Sequence, residues 1–271
     1  MIKFYDSGSG FLAENKSILD VYPLETVFFE VNAKIIKQSN PNDFLVRLDD
    51  GGKFLIAVHN ADYPMVIFGD LSLCARFARE AFSRKLIFGR VLGALDTCRA
   101  FLDEYGKLAG SSYEINHSMD IMRCDRAAAA DVDGVEIPSD KDVDEITELI
   151  IGFYAEALGD EADAERVKKD VADRLNSFAV VRLDGKIASL ASTKRETDKL
   201  ACIADVYTSP QYRNRGLSCK TVTYLTQRIL GSGKLAYLFV DKKNPVSNHL
   251  YTKIGYTYAV PQYEIKIKGN I

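Results

Sequence analysis

Along the whole chain the hydrophobic pattern switches between a period of two and a period near 3.6, which predicts strands and helices in mixed order. Apolar residues at helical spacing around Ile18, Val21 and Leu24 give 12–24 a mixed, partly helical character. The stretch 27–36 also reads as partly helical, with Phe28 and Phe29 leaving it open. Phe44 to Leu48 and Phe54 to Val58 read as strands joined by Asp49-Asp50-Gly51-Gly52, residue types that tolerate positive φ. A short strand at 64–68 follows, then a helix at 71–82 with Leu73, Phe77, Ala78 and Ala81 on one side. A strand at 85–91, a helix at 95–108 stopped by Gly110 and a long strand at 113–122 complete the first half. Ser7-Gly8-Ser9-Gly10 reads as a flexible loop.

Residues 127–133, rich in alanine and aspartate, carry no strand pattern, which predicts a domain boundary near 126–134 and domains at 1–126 and 134–271. Regular structure restarts at Val135, and Ser139 suits the N-cap of a helix at 142–151. The stretch 154–174 is helical and strongly charged, its charges forming a solvated face. A hairpin at 178–183 and 187–192 turns at Asp184-Gly185. Then come a strand at 200–207 and a helix at 216–230 with Ser218, Val222, Leu225 and Ile229 on one face. A strand at 235–240 leads to a helix at 245–254 begun by Pro245. The stretch 256–267 reads as two short strands or one bent one. The halves echo each other: Val46-Arg47-Leu48-Asp49 resembles Val181-Arg182-Leu183-Asp184, and Tyr113-Glu114-Ile115 resembles Tyr263-Glu264-Ile265. Together with the shared order of elements, this favours two related domains.

Composition narrows the class. The 271 residues are 47% apolar and 27% charged, an ordinary globular mixture with ample core material. A formal net charge of -3 gives no reason to expect nucleic acid or an anionic membrane as the main partner. No apolar run reaches the roughly 18 residues of a membrane span, and Met1-Ile2-Lys3-Phe4-Tyr5-Asp6 lacks a signal core. The five cysteines are odd in number, widely spaced and never in a CxxC pair, which points to reduced thiols and a cytoplasmic setting. His59, His117 and His249 are isolated, so no metal site and no Cys–His nucleophile is expected. Gly231-Ser232-Gly233-Lys234 lacks the first glycine of a P-loop and follows a helix, so it reads as a helix stop and turn.

The candidate chemistry lies at 204–230. A strand ends at Thr208, a turn contains Pro210, and Arg213, Asn214, Arg215, Gly216, Leu217 and Ser218 stand at the mouth of a helix. Backbone N–H groups without intrahelical partners, the positive end of the helix dipole and two arginines suit a phosphorylated ligand. The first half offers Phe68-Gly69-Asp70-Leu71 at the same place, where aspartate repels phosphate; if the halves are related, the first has lost the site.

Arg213-x-x-Gly216-x-Ser218 resembles the pyrophosphate loop, Gln/Arg-x-x-Gly-x-Gly/Ala, of the GNAT superfamily of acyl-CoA-dependent N-acetyltransferases; serine departs from the last position but is still small. Asn244-Pro245-Val246-Ser247-Asn248-His249-Leu250-Tyr251-Thr252-Lys253-Ile254-Gly255-Tyr256 is similar to the superfamily's Asn-x-x-Ala-x-x-x-Tyr-x-Lys-x-Gly-Phe signature. The likeness covers about 135–260, and its wording is close to a bacterial subgroup with a degenerate GNAT-like half ahead of the active one. It implies an α/β (α+β) protein of tandem GNAT-like domains, with mixed, mostly antiparallel sheets flanked by helices. It also implies acetyl-CoA as cosubstrate, an amine acceptor and no metal, in a monomer or homodimer.

By the same resemblance Val206, Tyr207 and Thr208 contact the pantetheine arm, which pairs with the freed strand edge. Asn244 binds pantetheine or a backbone group, with helix capping as its competing role, and Ser247 shares its side of the helix. Tyr251 sits by the thioester sulfur as general acid or hydrogen-bond donor. The base is less legible: Cys202 stands where some members place a glutamate, and Asp205, Glu156 and Tyr207 are the candidates, with a salt bridge an equal reading of Asp205. The expected activity is N-acetyl transfer to a small-molecule or peptide amine within a ternary complex. The alternative is a CoA-binding sensor or scaffold, against which the retained Tyr251 and Asn244 argue.

Overall fold

A computed structural model describes residues 1–36, 40–61, 63–157 and 162–269, except for the side chains of 157 and 246. The residues group into two compact units. One is Met1–Ile121 with Asp241–Lys243 and Ala259–Ile271; the other is Met122–Val240 with Asn244–Tyr258. This grouping differs from a division at 126–134, because the C-terminal strand packs with the first unit and the end of the 112–124 strand packs with the second.

The first unit begins with β1 (Ile2–Phe4), α1 (Gly8–Glu14), α2 (Lys16–Val21) and α3 (Val27–Ile35). Then follow β2 (Phe44–Asp50), β3 (Lys53–His59), β4 (Met65–Gly69), α4 (Cys74–Ser83), β5 (Arg90–Gly93), α5 (Leu95–Ala109) and β6 (Ser112–Cys124). Neighbours from β1 to β4 pair antiparallel, and β4 pairs parallel with β5. Leu48, Leu55, Phe77 and Phe101 are fully buried at its centre. The expected loop at 7–10 is helical instead: Ser7 accepts the Gly10 N–H as N-cap, and Gly8 is glycine because a Cβ there would meet the Ala33 carbonyl. The strand expected at 85–91 shrinks to Arg90–Gly93, since Lys85 turns the chain at φ +55°.

The second unit runs β7 (Val135–Glu136), α6 (Val143–Ala157), α7 (Ala164–Asp173), β8 (Phe178–Leu183), β9 (Lys186–Lys194) and β10 (Leu200–Thr208). It continues through α8 (Leu217–Gly231), β11 (Leu235–Asp241) and α9 (Pro245–Ile254), after which β12 (Thr257–Lys268) belongs from Ala259 onward to the first unit. The Asp142 carboxylate accepts the Ser139 N–H at 2.8 Å, fixing the entry to α6 at the expected cap. Of the helix expected at 154–174, α6 ends at Ala157 and α7 starts after Asp163, its N-cap; 158–161 lie outside the described residues. From β7 to β10 neighbours pair antiparallel, and β10 pairs parallel with β11. Both halves thus order their elements alike: a short strand, helices, three antiparallel strands, a helix, a parallel strand, a helix and a last strand. The echoed segments coincide with β2 and β8, and with β6 and β12. The fold is mixed α/β, its strands pairing mostly antiparallel in one sheet flanked by helices.

A local departure in β10 separates the halves. Opposite β9, the register slips by one residue between Ala204 and Tyr207, so β10 carries a bulge. Asp205 takes φ +51° there, a left-handed conformation that costs a non-glycine residue about 1–2 kcal/mol. Its carboxylate is 6% exposed. It accepts from Arg174 at 2.8 Å, Lys194 at 3.0 Å and Ser192 at 2.5 Å. A net contribution of about 1.5–3 kcal/mol from one such charged hydrogen bond is enough to offset the backbone strain. In the first unit β3 and β4 pair from Leu55–Gly69 to Val58–Val66 without a slip. Its β4 and β5 pair at Met65–Val91 and Val66–Leu92, and a Cβ on Gly93 would lie 2.6 Å from the Ile67 carbonyl oxygen.

Gly93→Ala should therefore destabilise the protein by about 1–3 kcal/mol, read as a lower urea midpoint. Asp205→Asn should cost about 3 kcal/mol, the low end for breaking a buried pair, because Arg174 and Lys194 keep partial contact with solvent. Burial raises the Asp205 carboxyl pKa, but the Lys194 and Arg174 charges and the Ser192 hydroxyl outweigh it, so the folded value lies below the unfolded one. The contribution is thus complete above the unfolded value, near pH 4, and is lost as pH falls through the folded one. Urea melts of wild type and Asp205→Asn should converge on acidification below about pH 4 and stay apart at neutral pH.

Candidate active site

The bulge bends β10 away from its parallel neighbour. Pairing with β11 runs from Leu200–Leu235 to Ile203–Leu238, while β10 itself continues to Thr208. A bulged strand bends and twists locally, so the two strands part at the level of Val206, Tyr207 and Thr208. The three residues are partly exposed. Successive side chains of a strand point to opposite faces. Val206 packs in the apolar cluster of α8 and α9, with Val222, Leu225, Tyr251 and Ile254. Tyr207 packs in the cluster of α6 and α7, with Ile146, Ile150 and Val171. Ser189 holds the Tyr207 carbonyl at 3.1 Å and the Thr208 hydroxyl at 2.8 Å.

From the end of β10 the chain turns through Pro210–Tyr212 into α8. Asn214 at φ +63° and Gly216 at φ +72° bend the loop, and Gly216 is the N-cap. No side chain caps α8 among the described residues, so its first N–H groups remain open donors at the positive end of the helix dipole. A Cβ on Gly216 would meet nothing within 4 Å, which leaves space above those donors. Leu217 anchors the turn in a small cluster with Val181, Ala188 and Tyr212, and Ser218 is half-buried.

The two arginines diverge. Arg213 turns back: its Nε donates to the Thr208 carbonyl at 3.0 Å, and its Nη2 pairs with Glu156 at 2.6 Å. Tyr207 donates to the same Glu156 oxygen at 3.3 Å. Arg215 meets no carboxylate among the described residues, and its guanidinium lies 5.8 Å from the Tyr212 ring centre. The cation offered to an anion at the loop is therefore Arg215, while Arg213 braces the loop against α6.

On α9, Asn244 is the cap: its Oδ1 accepts the Ser247 N–H at 3.1 Å, and its carbonyl accepts from Asn248 at 2.8 Å. Tyr251 is 7% exposed and packs edge-on against Tyr256, ring centres 6.1 Å apart. Its hydroxyl has no hydrogen-bond partner among the described residues, yet is not among the sealed, unpartnered polar atoms. Burial, with a smaller effect from Cys202 nearby, pushes the phenol well above its ordinary pKa, so it stays protonated. Burial likewise raises the Cys202 thiol.

Asp205, expected as a candidate base, stands instead in the ion cluster of Arg174 and Lys194. A lowered pKa and three donors make it a poor proton acceptor, and the salt-bridge reading is the one the geometry carries. The partners that hold it, Arg174, Ser192 and Lys194, escape a reading of the sequence. The signal available was a carboxylate inside the otherwise apolar run Leu200-Ala201-Cys202-Ile203-Ala204-Asp205-Val206, which needs partners wherever it is buried. Among the described residues no cluster of three or more His, Cys, Asp or Glu side chains has metal-ligand geometry, and no helix is long and apolar enough to cross a membrane.

Comparison with known proteins places this geometry. Residues 143–256 match the family model described as Acetyltransferase (GNAT) family. No curated protein sequence matches the chain. Solved structures do. A GNAT-family acetyltransferase from Colwellia psychrerythraea aligns over 100% of both chains, with a TM-score of 0.62 at 12% identity. A GCN5-related N-acetyltransferase from Sphaerobacter thermophilus aligns over 98% of this chain and 95% of its own, with a TM-score of 0.64 at 13% identity. A Drosophila protein aligns over 100% and 99%, with a TM-score of 0.66 at 13% identity. At these identities the structures establish a shared fold and no more. Residues 143–256 thus form a domain that matches the GNAT acetyltransferase family model.

Proposed function

We propose that the second unit transfers the acetyl group of acetyl-CoA to the amine of a small molecule or peptide, by direct attack in a ternary complex. The observation that carries this reading is the parting of β10 from β11 directly ahead of an uncapped helix N-terminus. The pyrophosphate takes the open donors of 216–218 with Arg215 beside them. The pantetheine arm lies along Val206–Thr208 in the manner of an added strand. Backbone N–H groups of that edge polarise the thioester carbonyl. Tyr251 donates a hydrogen bond to the departing sulfur. Its raised pKa suits a donor that stays protonated better than an acid that gives its proton up. An open phenol hydroxyl beside the cleft also favours an enzyme over a CoA-binding sensor, which needs the loop alone. The first unit has no bulge, and Asp70 caps its equivalent helical turn through the Ser72 N–H at 2.9 Å. A carboxylate there opposes a phosphate.

Acetyl-CoA should bind with a stoichiometry of one per chain by calorimetry, and at about 100 times its dissociation constant it should add about 2.7 kcal/mol of stability. Gly216→Glu should abolish that gain while lowering the stability of the free protein by only about 1–2 kcal/mol, since the new Cβ strains φ and clashes with nothing. A gain that survives Gly216→Glu removes the loop from the donor site. Tyr251→Phe should lower kcat for CoA thiol release with an amine about 100-fold, with acetyl-CoA binding retained. Unchanged turnover assigns Tyr251 to the core alone.

A further inference from the structure

The cleft has two sides, and the second is as specific as the first. Val206 and Tyr251 share one apolar cluster and Tyr207 belongs to another, so the face of α8 and α9 and the face of α6 and α7 meet at the split in the sheet. The open helix N-terminus and Tyr251 occupy the first face. An amine that attacks a thioester lying in the split must approach from the second. There stands Glu156, in the last turn of α6, a turn without a basic residue. A carboxylate at a helix C-terminus adds to the negative end of the dipole and draws a cation. Glu156 is already oriented: Arg213 and Tyr207 both hold Oε2, at 2.6 and 3.3 Å. Its Oε1 has no partner among the described residues, and the side chain is 49% exposed. Tyr207 is itself fixed, its hydroxyl oxygen 3.4 Å from where a Cβ on Gly152 would lie and its ring edge-on to Phe153 at 6.2 Å.

We infer that the acceptor is an amine bearing a second cationic group, and that Glu156 receives this second group on its free oxygen while Tyr207 and Arg213 hold the carboxylate in place. The inference rests on the acetyltransferase reading and deepens it. The anchored group is not the reacting one. A carboxylate beside an ammonium stabilises its charged form, which hinders attack on an acyl group and helps only in binding. Hydrogen bonding by Arg213, opposed in part by burial, keeps Glu156 ionised, in line with recognition and against proton abstraction. The class of acceptor is therefore a diamine or a larger polycation.

The test compares CoA thiol release with cadaverine and with pentylamine, alkylamines of one length that differ in the second charge. Wild type should prefer cadaverine in kcat/KM by about tenfold or more, and Glu156→Gln should cut that ratio by about tenfold through KM for the diamine. A merely structural role for Glu156 lowers both amines alike and leaves the ratio where it was. If Glu156→Gln fails to melt cooperatively, Tyr207→Phe replaces it: losing the hydroxyl that orients Oε2 should lower the same ratio in the same direction. A ratio unchanged in the folded variant, or a wild-type preference for pentylamine, overturns the inference and leaves the acetyltransferase reading standing. Thiol release with no amine, together with no stabilisation by acetyl-CoA, overturns that reading and this inference with it.

Discussion

A carboxylate inside the sheet, with two cations and a hydroxyl closed around it, holds the extra residue of β10 in place. Without Arg174, Lys194 and Ser192, an aspartate at positive φ would be both strained and desolvated, and an unbulged β10 paired along β11 would be the better structure. With them, the strand is committed to bend. The open edge at 206–208, the turn through Pro210 and the approach of α8 with nothing capping it all lie downstream of that bend in the chain. The ion cluster fixes where two strands part.

The first unit shows the same order of elements without the commitment. Its β4 has no extra residue, Gly93 lies against the Ile67 carbonyl, and the Asp70 carboxylate accepts the Ser72 N–H. An irregularity of this kind is something a common fold either has or lacks.

Much of this was legible in the sequence because it is periodic or local. The hairpin of β2 and β3, the stop of α5 at Gly110, the cap at Ser139 and the start of α9 at Pro245 each follow from residues within a few positions of one another. The starts of α8 and α9 were legible too, from Gly216 and from Asn244-Pro245. What escaped is what depends on partners far away in sequence. Gly8 looked like a loop glycine because its reason, the Ala33 carbonyl, lies on another helix. The ion cluster of Asp205 was hidden because Arg174 follows α7 while Ser192 and Lys194 stand on β9, and the brace of Arg213 was hidden because Glu156 stands on α6. Periodicity carries no record of such pairings.

The last strand adds a point about inheritance. Residues 259–268 follow the acetyltransferase half in the gene, yet β12 aligns Tyr263 with Gly93 and Lys266 with Arg90 of the first unit, and Ile265 is buried in that unit's core. A first unit that packed only on itself would be free to drift and disappear. Here its deletion would strip β12 of its partner strand and leave Ile265 without a core. The last strand works as a ratchet: the first unit can drift in its surface and its loops, but it cannot be discarded.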